Sequence, residues 1–140
     1  MGSSLCPAKS FLLKGINTFK MTSTGLAVVA TQIGAWRDVL SLEPPPSPCP
    51  PPGDGELQVR VHSCGLAFPD VLTVEGKHIQ KKQPPFVPAT EVAGIVTAVG
   101  KGVTEAYGFR EGDRVFGTTN SGGLRKYTTI PAMGAYKLPE

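Results

Sequence analysis

With 140 residues, 40% of them hydrophobic, the chain has the size of one domain around one core and leaves little room for a second. Its 17 glycines and 14 prolines, set against 7% aromatic residues, favour many short strands joined by turns over long helices. The net charge of +3 is spread over single basic residues with no basic cluster interleaved with aromatics, which argues against a nucleic-acid groove. No apolar run reaches the roughly 18 residues that span a bilayer.

Residues 1–24 read as a basic extension: the first 37 residues hold Lys9, Lys14, Lys20 and Arg37 and no Asp or Glu. That composition suits either a cytoplasmic protein or one carrying a mitochondrial import signal. Ordered sequence is expected from Gly25 onward as one domain, 25–140. "GLAVVAT" reads as a short strand, "QIGAWRD" as a turn and "VLSLE" (39–43) as a second strand, giving a hairpin-like start. "PPPSPCPPPGDG" then holds half of the prolines, and a segment so poor in backbone N–H donors must be a loop or a polyproline stretch. Its P-x-x-P spacings fit a recognition ligand, but without flanking basic residues a connector is the better reading.

"ELQVRVHSC" (56–64) alternates, with Leu57, Val59 and Val61 on one face and Gln58, Arg60 and His62 on the other, and predicts a strand. In "LAFPDVLTVEG", Pro69 fits a first helical turn, Asp70 fits the positive end of the helix dipole and Gly76 can stop the helix. About two turns are expected, carrying Phe68, Val71 and Leu72 toward the core. Pro84, Pro85 and Pro88 set an extended approach to "EVAGIVTAV" (91–99), in which Gly94 suggests a bulge or tight bend. "REGDRVFG" reads as a turn feeding a strand and "TTNSGG" as a flexible loop. "LRKYTTI" and the region of "AYKL" complete the strands.

Cys6, Cys49 and Cys64 form no disulfide framework and no Cys-x-x-Cys motif, so the chain reads as reduced and intracellular. "GDGELQ" lacks the third glycine of a dinucleotide fingerprint and leads into a strand, and "GTTNSGGLRK" lacks the ending of a P-loop.

In order and spacing, "VRVHSCGLAFPDVL", "PFVPATEVAGIVTAVGKGV", "FREGDRVFG", "GGLRKYTTIP" and "KLPE" resemble the amino-terminal GroES-like domain of medium-chain dehydrogenases and reductases. The nearest branch is the zinc-free NADPH:quinone oxidoreductases. The resemblance implies a mainly β fold, a GroES-like partly open β-barrel with one or two short helices. It supplies one wall of a cleft, and a separate Rossmann domain holds NADPH. It further implies that Ala67, Phe68, Asp70, Leu72 and Thr90 face substrate and cofactor, with Glu91 an anchoring carboxylate beside the cleft.

Zinc-dependent relatives would present Cys at the position of Ala67 and His at that of Thr90. Alanine has no donor atom and a threonine hydroxyl is a poor zinc ligand, so no zinc and no other metal is expected. The sequence also departs from the zinc-free pattern, which has Asn where Ala67 stands and often Gly where Ala89 stands. Phe68 reads either as a ligand contact or as core, and Asp70 either as a ligand contact or as a helix cap. The resemblance implies hydride transfer from NADPH to a small quinone or α,β-unsaturated carbonyl compound, and allows a homodimer. The sequence shows no phosphate-binding helix after Glu140, so the 140 residues are expected to be incomplete as an enzyme, to bind NADPH weakly and to be inactive alone. A stand-alone protein-binding module is the alternative.

Overall fold

The computed structural model describes residues 25–139. The basic extension, residues 1–24, lies outside them. Strands β1 (Ala27–Ala30) and β2 (Leu40–Glu43) pair antiparallel, as the hairpin-like reading requires. Between them "QIGAWRD" holds a one-turn helix, α1 (Trp36–Val39), where a simple turn is expected from its glycine. The main sheet has five strands in the order β6-β3-β4-β5-β7: β3 (Glu56–Gly65), β4 (Glu91–Val99), β5 (Arg114–Thr118), β6 (Tyr127–Pro131) and β7 (Tyr136–Lys137). All its pairings are antiparallel, and the two sheets do not close into one barrel. Among the described residues the architecture is mainly β, with three short α-helices instead of one or two.

The inward face of the sheet follows from side-chain alternation. Leu57 and Val59 on β3, Val92 and Val96 on β4, Val115 on β5 and Ile130 on β6 are buried together with Val103 and Phe109. Each such side chain contributes about 2 kcal/mol by leaving water. Val103 belongs to α3 (Val103–Tyr107), which opens after Gly102 and stops at Gly108, both at positive φ. Two smaller clusters tie the hairpin to the rest. Ala30 and Val39 pack with Val74 and Phe86, and Ala27 and Val29 pack with Val87. These clusters fix α2 (Phe68–Val74) and the segment before β4 against the hairpin.

Several local expectations are corrected. Gln58 is buried although its neighbours alternate as read, because the proline-rich segment folds back over that side of β3. Its amide nitrogen donates to the Pro50 carbonyl at 3.1 Å, and Thr97 Oγ1 lies 3.1 Å from its Oε1. Gly94 does not interrupt β4. The bulge expected near Gly94 is present opposite it, with His62 of β3 as the extra residue beside the Val61–Gly94 pair; a second register shift falls at Thr97 on β4, and Gly94 gives the Arg60 carbonyl room to approach. "TTNSGG" is bonded along its length: Thr119 N donates to Thr90 O at 2.7 Å, Gly122 N to Val87 O at 2.9 Å and Gly123 N to Ala89 O at 2.9 Å. Phe68 is 72% exposed, not in the core, and the buried residues of α2 are Asp70 and Val74.

The short edge strand β7 is secured electrostatically. Asp113 Oδ2 accepts from Arg110 N at 2.8 Å and pairs with Lys137 Nζ at 2.8 Å. The Lys137 ammonium, helped by that backbone bond, holds the Asp113 carboxyl below its ordinary value despite some burial. The folded protein therefore releases this proton more readily than the unfolded chain. The contribution is complete above the ordinary aspartate range and is lost as pH falls through the lowered value. Asp113→Asn is expected to cost about 0.5 kcal/mol at neutral pH in urea melts, with the difference from the parent closing in acid.

Candidate active-site cleft

Four stretches of chain converge on a cleft of about 200 Å³. Pro69, Asp70 and Thr73 come from α2, and Phe86, Pro88, Ala89 and Thr90 from the approach to β4. Asn120 and Ser121 come from the loop after β5, and His78, Gln80 and Lys82 from the segment after α2. The cavity is below the roughly 300 Å³ of pockets for drug-sized ligands, and fits a ligand of about one ring.

Its geometry is set by backbone. Ala89 has φ +70°, a left-handed conformation that a side chain disfavours, and it turns the chain into β4 so that Thr90 lines the cleft. This explains why glycine is at home there. On α2, Asp70 is 6% exposed, and its Oδ2 accepts the Ala67 N–H at 2.8 Å. Ala67 has no side-chain acceptor to return the bond, so only half of a capping box forms. A buried carboxylate thereby orients the first turn of the helix while one side of it borders the cleft.

Of the sequence-derived site residues, Asp70 and Thr90 meet in this cleft. Ala67 lines an adjoining, almost wholly apolar hollow of about 190 Å³ with Trp36, Leu66, Val71 and Leu124, and Asp70 borders both. Phe68 projects into solvent next to exposed Leu66. Leu72 is half-buried and lines neither cavity. Glu91 follows Thr90 directly but points into a different groove. Sequence reading missed Asn120, Ser121, His78 and Lys82, which reach the cleft from loops. Only the proximity of "TTNSGG" to the β4 approach, a tertiary fact, could have found the first two.

Among the described residues no three His, Cys, Asp or Glu side chains come together as metal ligands. Burial pushes the Cys64 thiol up, and the charges of Asp70 and Glu91 push it the same way, so at neutral pH it is a poor nucleophile and a poor ligand. The polar groups the cleft offers are hydroxyls, the amides of Gln80 and Asn120, an imidazole, an ammonium and one side of the Asp70 carboxylate, beside Phe86 and Pro88. Such a set hydrogen-bonds a carbonyl oxygen and packs a flat ring.

Two antiparallel sheets with short helices between their strands are consistent with a GroES-like domain. Residues 53–140 match the alcohol dehydrogenase GroES-like domain, and the chain belongs to that family, with quinone oxidoreductases of the medium-chain dehydrogenase/reductase superfamily among its relatives. It is similar to the human synaptic vesicle membrane protein VAT-1 homolog, 34% identical over 113 residues that make up 81% of this chain and 28% of that protein. Pig (Sus scrofa) quinone oxidoreductase is 40% identical over 92 residues, 65% of this chain and 27% of the relative. The crystal structure of Escherichia coli quinone oxidoreductase complexed with NADPH superposes with a TM-score of 0.71 at 27% identity, covering 82% of this chain and 33% of that one. The chain thus spans about a quarter of the length of these two curated relatives.

Proposed function

We propose that residues 25–139 form the substrate-side wall of a zinc-independent, NADPH-dependent reductase of a small quinone or enone. The carrying observation is the cleft itself, in which Thr90 and Asn120 set hydrogen-bonding groups beside the flat apolar walls of Phe86 and Pro88. The likeness to a quinone oxidoreductase complexed with NADPH supports the same reading.

When bound, NADPH supplies a hydride, and the quinone takes up that hydride and one proton to become the hydroquinone. The residues of this chain position the acceptor. The Thr90 hydroxyl and the Asn120 amide donate to a carbonyl oxygen as negative charge grows on it, and Phe86 and Pro88 hold the ring flat. The proton comes from solvent through the open mouth of the cleft. Among the described residues no glycine-rich turn opens a long helix to cradle a pyrophosphate, since α3 has only five residues. These residues would face the nicotinamide ring and would not hold the phosphates of the dinucleotide. The exposed Leu66 and Phe68 beside the apolar hollow suit a surface that is covered in the working enzyme.

Titration of the isotopically labelled chain with duroquinone, which has no free ring position for thiol addition, tests the binding half of this reading. Saturable amide shifts are expected at Ala89, Thr90, Asn120 and Ser121. Thr90→Val should weaken them about three- to tenfold, the worth of one hydrogen bond. Shifts confined to another surface, or no saturation at all, would overturn the assignment.

A further inference from the structure

The proline-rich stretch between β2 and β3 takes no part in the cleft, and it holds the one Ser-Pro pair of the chain, Ser47-Pro48; no Thr-Pro pair occurs. Residues 44–52 join neither strand nor helix. Prolines have a fixed φ and keep the residue before them out of the helical region, so the stretch is held open with no ladder bonds to break. Ser47 is exposed. Among the described residues its one hydrogen bond runs through the carbonyl, which accepts from Arg125 Nη1 at 3.4 Å, and the hydroxyl is left free.

The guanidinium beside it is firmly placed and incompletely bonded. A Cβ added at Gly122 would lie 3.1 Å from Arg125 Nε and 3.3 Å from both Cζ and Nη2, so the group rests on that glycine. Nε is buried without a partner, and the Nη1 bond to Ser47 is at the long end of the range. Among the described residues the ion pairs are Lys77 with Glu75 and Lys137 with Asp113, and neither involves Arg125. Glu56 does not compensate it either, since its Oε2 accepts the Gly53 N–H at 2.9 Å. A half-buried, unpaired guanidinium favours an anion with several acceptor oxygens, and a phosphate on the adjacent serine is such an anion.

We propose that Ser47 is a phosphorylation site for a proline-directed protein kinase and that Arg125 receives the phosphate. The following proline sets the kinase class, because a pocket with no acceptor for the next backbone N–H penalises every residue except proline. Ser47 Oγ takes the γ-phosphoryl group of ATP, the bond to the bridging oxygen breaks, ADP leaves, and the hydroxyl proton passes to the base of the kinase. Pairing with Arg125 then ties the segment between β2 and β3 to the loop after β5, on whose Gly122 the guanidinium rests. Neither Ser47 nor Arg125 lines the cleft, so the proposal stands or falls separately from the quinone reading.

The test incubates the full chain with ATP and, in turn, a purified mitogen-activated protein kinase and a purified cyclin-dependent kinase. Peptide mass spectrometry should place the phosphate on Ser47, and Ser47→Ala should abolish the labelling. Urea melts of the phosphorylated chain should then show a folding constant raised about tenfold, the worth of one charge-assisted pair. Arg125→Gln should still be phosphorylated but gain about twofold or less. If that variant does not fold, Arg125→Lys keeps the charge without the planar fork and should lose most of the gain. Labelling by neither kinase, or labelling only of other serines and threonines, overturns the site. Equal stabilisation in the parent and the Arg125 variant, or none in the parent, overturns the role of Arg125.

Discussion

Gly94→Ala is expected to cost about 3 kcal/mol or more, a loss large enough to lower the thermal midpoint by roughly 10 °C and to leave much of the chain insoluble on expression. A methyl at Gly94 would collide with the Arg60 carbonyl oxygen, and would lie 2.9 Å from both the Arg60 carbonyl carbon and Val59 Cγ1. The obstructing atoms are backbone and core, neither of which can swing aside. The collision falls beside the His62 register shift at the centre of the β3–β4 pairing, which joins the cleft-bearing strand to the core. Urea melts of the parent and the variant decide the matter, and a difference below about 1 kcal/mol would mean that the two strands yield more easily than their packing implies.

Ala89→Val should be nearly as damaging, by a different route. The backbone at Ala89 is left-handed and its side chain is buried, so a β-branched residue meets both a forbidden conformation and a filled space. About 3 kcal/mol is expected from the two together. Ala89→Gly is the informative companion, because release of about 1 kcal/mol of conformational strain roughly offsets the lost burial of one methyl. Its stability should stay within about 1 kcal/mol of the parent in the same melts. Comparable losses in both variants would show that shape, not backbone conformation, governs the position.

Much of the sheet was legible because its signal is local. Leu57 and Val59 on β3, and Val92 and Val96 on β4, repeat at the spacing of a strand, and a strand buries what it repeats. Where the reading failed, a residue far away in sequence decided the outcome. Gln58 goes inside because the Pro50 carbonyl and Thr97 hydroxyl meet its amide there, and nothing in "ELQVRV" announces either partner. Apolarity favours an inward Phe68 as one of its two readings, yet α2 turns Asp70 and Val74 inward. The burial of Asp70 is tolerated because its carboxylate holds the Ala67 N–H, a bond that no hydropathy pattern contains.

The cleft was legible only in part, and for a related reason. Asp70 and Thr90 were reached through the ordered series of segments that marks the family, whereas Asn120 and Ser121 belong to "TTNSGG", whose composition signals a loop and nothing more. That loop becomes a wall of the cleft through bonds from Thr119, Gly122 and Gly123 to residues 87–90. The departure at Ala89 was visible as a letter, but its meaning lay in a dihedral angle. A glycine preference can be read from sequence, and its cause only from backbone.

Thr90 and Glu91 are adjacent in the chain, yet one lines the cleft and the other a groove on the outer face of the sheet. The assignment is a matter of odd and even. A one-residue slip of the strand at this junction would turn Thr90 toward the outer groove and Glu91 toward the cleft side, and would carry the buried Val92 and Val96 to the outer face with them. The length of chain at this junction is thus tied to the core face of β4 as well as to both surfaces.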